Sequence, residues 1–206
     1  MVCSLPAGIY TLRIGHAPER DICYPHVYQV QNRQFERYMN RSIVKTTQKL
    51  INMHVGDSPS TVEWMNGWYE IKNNQREVLS LNFANNAYHY QAAHPMTYMA
   101  SLTFDLKGLK KCSLKDFFKP GSDYIGRISD LIKVQIKERD ITLISDFTAI
   151  KPDQDFYVAD KTLVIYFQLY DITPYAFGFP MFPLSVYDLQ DIIDENGPLG
   201  RLATNS

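Results

Sequence analysis

Residues 156–193, FYVADKTLVIYFQLYDITPYAFGFPMFPLSVYDLQDII, read as a hairpin, an aromatic-proline loop and a capped helix. Leu163, Ile165, Phe167 and Leu169 alternate with Val164, Tyr166 and Gln168, the period of a strand with at least one buried face. After Tyr170 the character changes, because Pro174, Pro180 and Pro183 lie among Tyr175, Phe177, Phe179 and Phe182. Proline has no N–H to donate, so this stretch is expected to leave the central ladder and either roof the core or meet a partner. Ser185 through Asp188 has capping-box spacing, Leu189, Ile192 and Ile193 form an apolar stripe, and Asn196-Gly197-Pro198 reads as the stop of a last helix.

Working outward, Ile9 to Ile14 and Asp21 to Val30 read as extended segments. From Asn32 the period turns helical: Phe35, Met39, Ile43, Thr46 and Leu50 recur at three- and four-residue intervals, with Asn32 as the cap and Gly56-Asp57-Ser58-Pro59 as the stop. Val62 to Ile71, turning at Asn73-Asn74, is followed by Glu77 to Tyr90 and by a strand from Thr97 to Leu106. Leu79, Leu81 and Phe83 alternate with Ser80 and Asn82, and Tyr98, Ala100, Leu102 and Phe104 with Met99, Ser101, Thr103 and Asp105. That alternation predicts antiparallel strands with one polar face. Ser113 to Asp116 opens a short helix ended by Pro120-Gly121, and Ser122 is the expected cap of a longer one carrying Ile125, Ile128, Leu131, Ile132 and Ile136. The fold class is α+β: one domain over residues 1–206, a mainly antiparallel sheet packed against one long and two shorter helical regions. Its N-terminal half runs over 15–95 and its C-terminal half over 96–196.

At 206 residues and 45% hydrophobic content, the chain can build a sizeable core without disulfides. Lys and Arg total 21 against 22 Asp and Glu, so there is no global field drawing it to nucleic acid or anionic lipid. Lys107, Lys110, Lys111, Lys115 and Lys119 form a local cluster interleaved with Asp105 and Asp116, which reads as a solvated face, and no basic helix is expected to join it. Cys3, Cys23 and Cys112 are too dispersed for a zinc site or a disulfide framework, although one bridge plus a free thiol stays open. No window is apolar enough to span a bilayer, and the first residues lack the pattern of an export signal, which by itself points to the cytoplasm.

Several segments carry a family likeness: YPHVYQVQN (24–32) with FERYMNRSI (35–43), VLSLNF (78–83) with YHYQAAHPMTYMASLTFDL (88–106), SLKDFFKPGSDY (113–124) and FYVADKTLVIYFQLYDITPYAFG (156–178). The chain from about Asp21 to Ile193 resembles the paired domains of unknown function found in the extracellular part of anti-sigma factors of the RsiV type and before the catalytic domain of peptidoglycan deacetylases of the PdaC type. The resemblance implies an α/β domain in the bacterial envelope, and, in the anti-sigma version, a receptor for lysozyme. Two departures limit the transfer. Gln91-Ala92-Ala93-His94-Pro95 stands where such domains have a glycine-rich turn, and neither a sigma-binding segment nor a deacetylase domain is present.

Candidate sites follow from chemistry. Tyr170, Tyr175, Phe177, Phe179 and Phe182 offer flat apolar contacts to a protein or sugar, unless they form a lid on the core. Trp64 and Trp68, four apart in a strand, share a face as a glycan platform or a core anchor, and His94 before Pro95 orients a turn or meets a ligand. No catalytic residue, cofactor or metal site is expected: nucleophile, phosphate-loop and metalloprotease patterns are missing, and histidine spacings do not match a ligand set. Asp153-Gln154-Asp155 lacks the glycine and glutamate a calcium loop requires. Pairs drawn from Glu63, Glu70, Asp105 and Asp171 can be imagined as a glycosidase dyad, whose test is their separation across a pocket. The expected role is a noncatalytic binding or sensory module of the envelope, its partner a protein such as lysozyme or a peptidoglycan-type glycan. The rival roles are an intracellular regulatory relative with a different protein partner and a glycan hydrolase.

Overall fold

The computed structural model describes residues 5–17, 19–56 and 61–204, with only the backbone of 16 and 17. The chain runs β1 (Gly8–Ala17), β2 (Arg20–Tyr28), α1 (Arg33–Val55), β3 (Val62–Gln75), β4 (Val78–His89), β5 (Met96–Asp105) and β6 (Lys110–Cys112). It continues through α2 (Tyr124–Glu138), β7 (Phe156–Ala159), β8 (Thr162–Tyr166), β9 (Met181–Ser185) and α3 (Pro198–Ala203). Strands β1 to β6 form one six-stranded sheet in sequence order, and β7, β8 and β9 form a second. All pairings are antiparallel except β2 with β3, where Ile22 lies beside Gly67. A Cβ at Gly67 would come within 2.6 Å of the Ile22 side chain, so the glycine permits this parallel contact. The fold is α+β, with a mainly antiparallel sheet and three helices.

Helix α1 starts as its sequence dictates: the Asn32 side chain accepts the Phe35 N–H at 2.9 Å. Its buried row is Phe35, Met39, Ile43, Thr47, Leu50 and His54, so Thr47 rather than Thr46 faces inward. Gly56 ends the helix at φ 46°; residues 57–59 of the expected stop lie outside the described residues. The buried row packs on one face of the large sheet, against Leu79, Leu81, Phe83, Leu102 and Phe104.

The opposite face differs from the expectation of a wet, polar surface, because β4 is buried on both sides along most of its length. The second sheet lies over it: Tyr157, Val164 and Tyr166 pack against Ala84 and Met99. Alternate residues of β8, Leu163 and Ile165, face the other way, into a second core with Ile128 and Ile132 of α2. The order of layers is α1, large sheet, small sheet, α2. Between the sheets the Ser80 hydroxyl accepts the Val158 N–H at 3.0 Å and lies 2.9 Å from the Thr103 hydroxyl, whereas the Asn82 Oδ1 is buried with no partner among the described residues. The large sheet continues across position 95 to Cys112.

Four local expectations are corrected. The β3–β4 turn falls at Arg76-Glu77, φ 52° and 57°, while Asn73 and Asn74 are buried within β3. Two successive positive φ values make a turn that normally asks for Asn-Gly. Here Arg76 donates to the carbonyls of Arg201 (2.9 Å) and Leu202 (3.2 Å) at the end of α3, a tertiary clamp that the local sequence does not reveal. Asp123 rather than Ser122 caps α2, accepting the Gly126 N–H at 2.9 Å. The last helix sits elsewhere: Val186–Leu189 is only a 3-10 turn, and Pro198 opens α3 instead of stopping a helix, since proline at the first helical position forfeits no bond. Finally, Met181–Ser185 is a strand despite Pro183, because β9 is an edge strand and pairs only with β8.

An aromatic ledge as candidate functional site

Register defines the open part of the intersheet face. Residues directly opposite on β3, β4 and β5 share a face, giving the rungs Glu70–Asn82–Ser101, Trp68–Ala84–Met99 and Asn66–Asn86–Thr97, followed by Trp64–Tyr88. The small sheet packs as far as Ala84 and Met99. At the β3 end of that rung Trp68 is 45% exposed, and beyond it Asn66 is exposed and Trp64 half-buried. The Trp64 and Tyr88 rings stack across the strands, 6.2 Å apart at 19°. Asn66 and Asn86 lie between this pair and Trp68, and the buried Oδ1 of Asn86 has no hydrogen-bond partner among the described residues. The ledge is therefore aromatic, amide, aromatic along the strand.

A wall rises beside it. The Tyr88 hydroxyl donates to the Ala92 carbonyl at 2.9 Å, tying β4 to the 90–95 turn. His94 Nδ1 lies 2.9 Å from the Pro95 carbonyl, so this nitrogen carries the proton and Nε2, 3.0 Å away, accepts from the Tyr170 hydroxyl. Tyr175 stacks on His94 with centroids 3.9 Å apart and donates its hydroxyl to the same Pro95 carbonyl at 2.8 Å. The base of the loop is held by Gln168, whose side chain accepts the Met99 N–H and donates to the Met99 carbonyl, both at 3.0 Å, imitating a strand at the edge of β5. Gln168 also donates to Asp155 at 2.9 Å. Tyr170 takes φ 68° and Gly178 φ 80°, which lets the loop fold back over this clamp.

The structure thus sorts the sequence candidates. His94, Tyr170 and Tyr175 form one cluster, with Tyr170 47% and Phe177 42% exposed. Phe179 is half-buried against the intersheet cluster. Phe182 belongs to β9 and is wholly buried, packed edge-on to Phe167 at 5.8 Å; it is a core residue and leaves the site. Trp64 and Trp68 share a face as their spacing requires. Tyr88, Asn86 and Gln168 were not among the candidates. Tyr88 was legible only through the cross-strand register, Gln168 only through the tertiary contact with Met99.

Three of the four carboxylates imagined as pairs, Asp105, Glu70 and Asp171, have partners of their own. Asp105 is ion-paired with Arg201 at 2.6 Å and also accepts the Gly108 N–H at 2.9 Å. Glu70 is held below the usual carboxylate range by its hydrogen bond and ion pair with Lys72, 2.9 Å away, and Asp171 accepts the Gln168 N–H at 3.0 Å. Burial raises the Asp155 carboxyl, although its bond from Gln168 opposes the shift. Among the described residues no three His, Cys, Asp or Glu groups converge as a metal site, and Cys23 and Cys112 are free thiols while Cys3 is not described. No helix among the described residues is long and apolar enough to cross a membrane.

Comparison with known proteins adds a family match over part of the chain and a fold. A family profile described as "Protein of unknown function (DUF3298)" matches residues 115–187, from the capped turn after β6 to the turn after β9. A crystal structure of a DUF3298 family member from Bacteroides fragilis is similar at TM-score 0.72 and 15% identity, covering 98% of this chain and 99% of that one. A DUF3298 family protein from Pseudomonas aeruginosa is similar at TM-score 0.68 and 13% identity, covering 98% of each chain. No curated protein sequence matches the chain. The chain has the fold of those two DUF3298 structures, and residues 115–187 match the DUF3298 family itself.

Proposed function

We propose that this protein is a noncatalytic binding module whose ledge takes a glycan of the peptidoglycan type. The observation that carries the reading is the Asn66–Asn86 rung set between the Trp64–Tyr88 stack and exposed Trp68. Sugar rings present apolar C–H faces to aromatic planes and hydroxyls to amides, and the exposed Asn66 amide lies between the two aromatic groups of the ledge. The resemblance to envelope domains of the RsiV and PdaC types supports the choice of a cell-wall glycan and an envelope setting. Engagement of Asp105, Glu70 and Asp171 in ion pairs and turns supports a role without hydrolysis.

Soluble peptidoglycan fragments titrated calorimetrically test this reading. Saturable binding that Trp64→Ala and Asn86→Ala each weaken about tenfold, with an unchanged melting temperature, is the expected result, a loss of one stacking or hydrogen-bonding contact. Equal binding by both variants overturns the ledge as the site, and release of new reducing ends overturns the noncatalytic role. A second reading, a protein partner such as lysozyme, is favoured by exposed Tyr170 and Phe177 on the rigid loop. It predicts that Tyr170→Ala and Phe177→Ala weaken lysozyme binding while Trp64→Ala does not.

A further inference from the structure

Against the expectation that no basic helix joins the Lys107–Lys119 cluster, helix α1 carries Arg33, Arg37, Arg41, Lys45 and Lys49 at four-residue intervals, and Glu36 is its single carboxylate. The helix is thus +4 in a chain of net charge −1, leaving the remainder at −5. Side chains four apart lie on one stripe, about 6 Å per step, so Arg37 to Lys49 spans about 18 Å. Glu36 neutralises only the first turn, since its carboxylate is 3.1 Å from Arg33 and accepts the Val30 N–H at 3.0 Å. Arg37, Arg41 and Lys45 are exposed and have no ion pair among the described residues. The fold then adds a cation that the sequence holds apart. A groove of about 570 Å³ is lined by Arg41, Lys45 and Lys49 on the helix side and by Lys111 and Ser101 across from them, with Asp155 as its lone acid.

We propose that this cationic row, with Lys111 across the groove, is a binding site for a flexible linear phosphate polyanion. The row supplies charges at a regular interval along a line, which suits a chain of repeated phosphate groups better than one compact anion. Single-stranded nucleic acid sites add aromatic rings for base stacking, and among the described residues the groove is lined by one, Tyr38, with His26 on the other side of the row. Membrane-surface helices add a continuous row of large apolar side chains on the outer face, where α1 exposes only the separated Tyr38, Val44 and Met53. The α1 row lies on the opposite face of the large sheet from the ledge, and its groove opens at the β5 edge beside Ser101 without sharing Trp64, Asn66, Trp68, Asn86 or Tyr88, so it is independent of the glycan reading.

The test is fluorescence titration of the full chain with inorganic polyphosphate at several salt concentrations. Five neutralised phosphates give a slope of log K against log salt near −3.5, about a hundredfold weaker binding between 50 and 200 mM salt. Arg41→Gln combined with Lys45→Gln lowers that slope to about three fifths, while Lys133→Gln combined with Lys137→Gln on α2 leaves it unchanged, all variants keeping the parent's circular dichroism and melting temperature. The proposal is overturned if polyphosphate does not bind at 50 mM salt, if the α2 pair weakens binding equally, or if oligothymidine or anionic vesicles bind more tightly than polyphosphate of equal charge.

Discussion

The two ends of the intersheet face are built from the same strands, with the same alternation of polar and apolar residues, yet they have opposite fates. At the closed end Ser80 and Thr103 are buried, bonded to one another and, through Ser80, to β7. At the open end Asn66 and Asn86 occupy equivalent places, but the small sheet stops short, leaving Asn66 exposed and Asn86 half-buried. A polar residue on a strand is thus neither a surface residue nor a site residue by nature. What lies over it decides.

The comparison breaks most readily at Tyr166, fully buried at the closed end with its hydroxyl 3.1 Å from Ser101. Tyr166→Ala is expected to cost about 3–5 kcal/mol in urea denaturation, as for other large aromatic truncations, against about 1 kcal/mol or less for Trp68→Ala at the open end. Similar losses at the two positions would mean that Trp68 is also a core residue. Ser80→Ala strands the Val158 N–H between the sheets and is expected to cost about 1–3 kcal/mol; the same measurement on Asn86→Ala is expected to give almost no loss, because that oxygen has no protein bond to lose. A large loss at Asn86 would remove the basis for the ledge.

The face toward α1 offers a finer contrast, since it is dry and yet contains His54, 2.8 Å from the Asn85 carbonyl and beside Tyr98. Burial holds the His54 pKa below the ordinary 6.5, although the bond to Asn85 opposes the shift. The unfolded chain therefore takes up a proton more readily than the folded one. Stability is complete above about pH 6.5 and falls as the pH drops toward the lowered value. The decline of unfolding free energy from pH 7.5 to 5 should be shallower in His54→Gln than in the parent, and parallel declines would remove His54 as the cause. The smallest effect concerns thiols: burial pushes Cys112 up to about 12, so in a Cys3→Ser background an alkylating reagent at pH 8 should modify half-buried Cys23 first. Equal rates at the two thiols would show that the core around Cys112 opens on the labelling timescale.

Where a residue's fate depends on neighbours within one or two turns, the sequence was legible. Asn32 capping α1, the Ile128 and Ile132 stripe of α2 and the alternation through β8 are local patterns that tertiary packing then used unchanged. Where the fate depends on distant contacts it was not. Asn73-Asn74 looked like a turn, but the turn formed at Arg76-Glu77 because α3 supplies carbonyls to Arg76 from residues more than a hundred positions away. Phe182 and Phe177 belonged to one aromatic run, and only the pairing of β9 with β8 put the first in the core and left the second exposed. The candidate site was half legible for the same reason: strand period places Trp64 and Trp68 together, whereas Tyr88, Asn86 and the Gln168 clamp need the register and the packing of two sheets.

By itself the sequence determined the α+β class, the long first helix and the aromatic candidates, because propensity, capping and hydrophobic period act over a few residues. Tertiary structure alone decided that both faces of β4 are covered, that His94 joins Tyr170 and Tyr175, and that Lys111 faces the cations of α1. Each of these joins segments far apart in the chain, and nothing local distinguishes the pairs that meet from the many that do not.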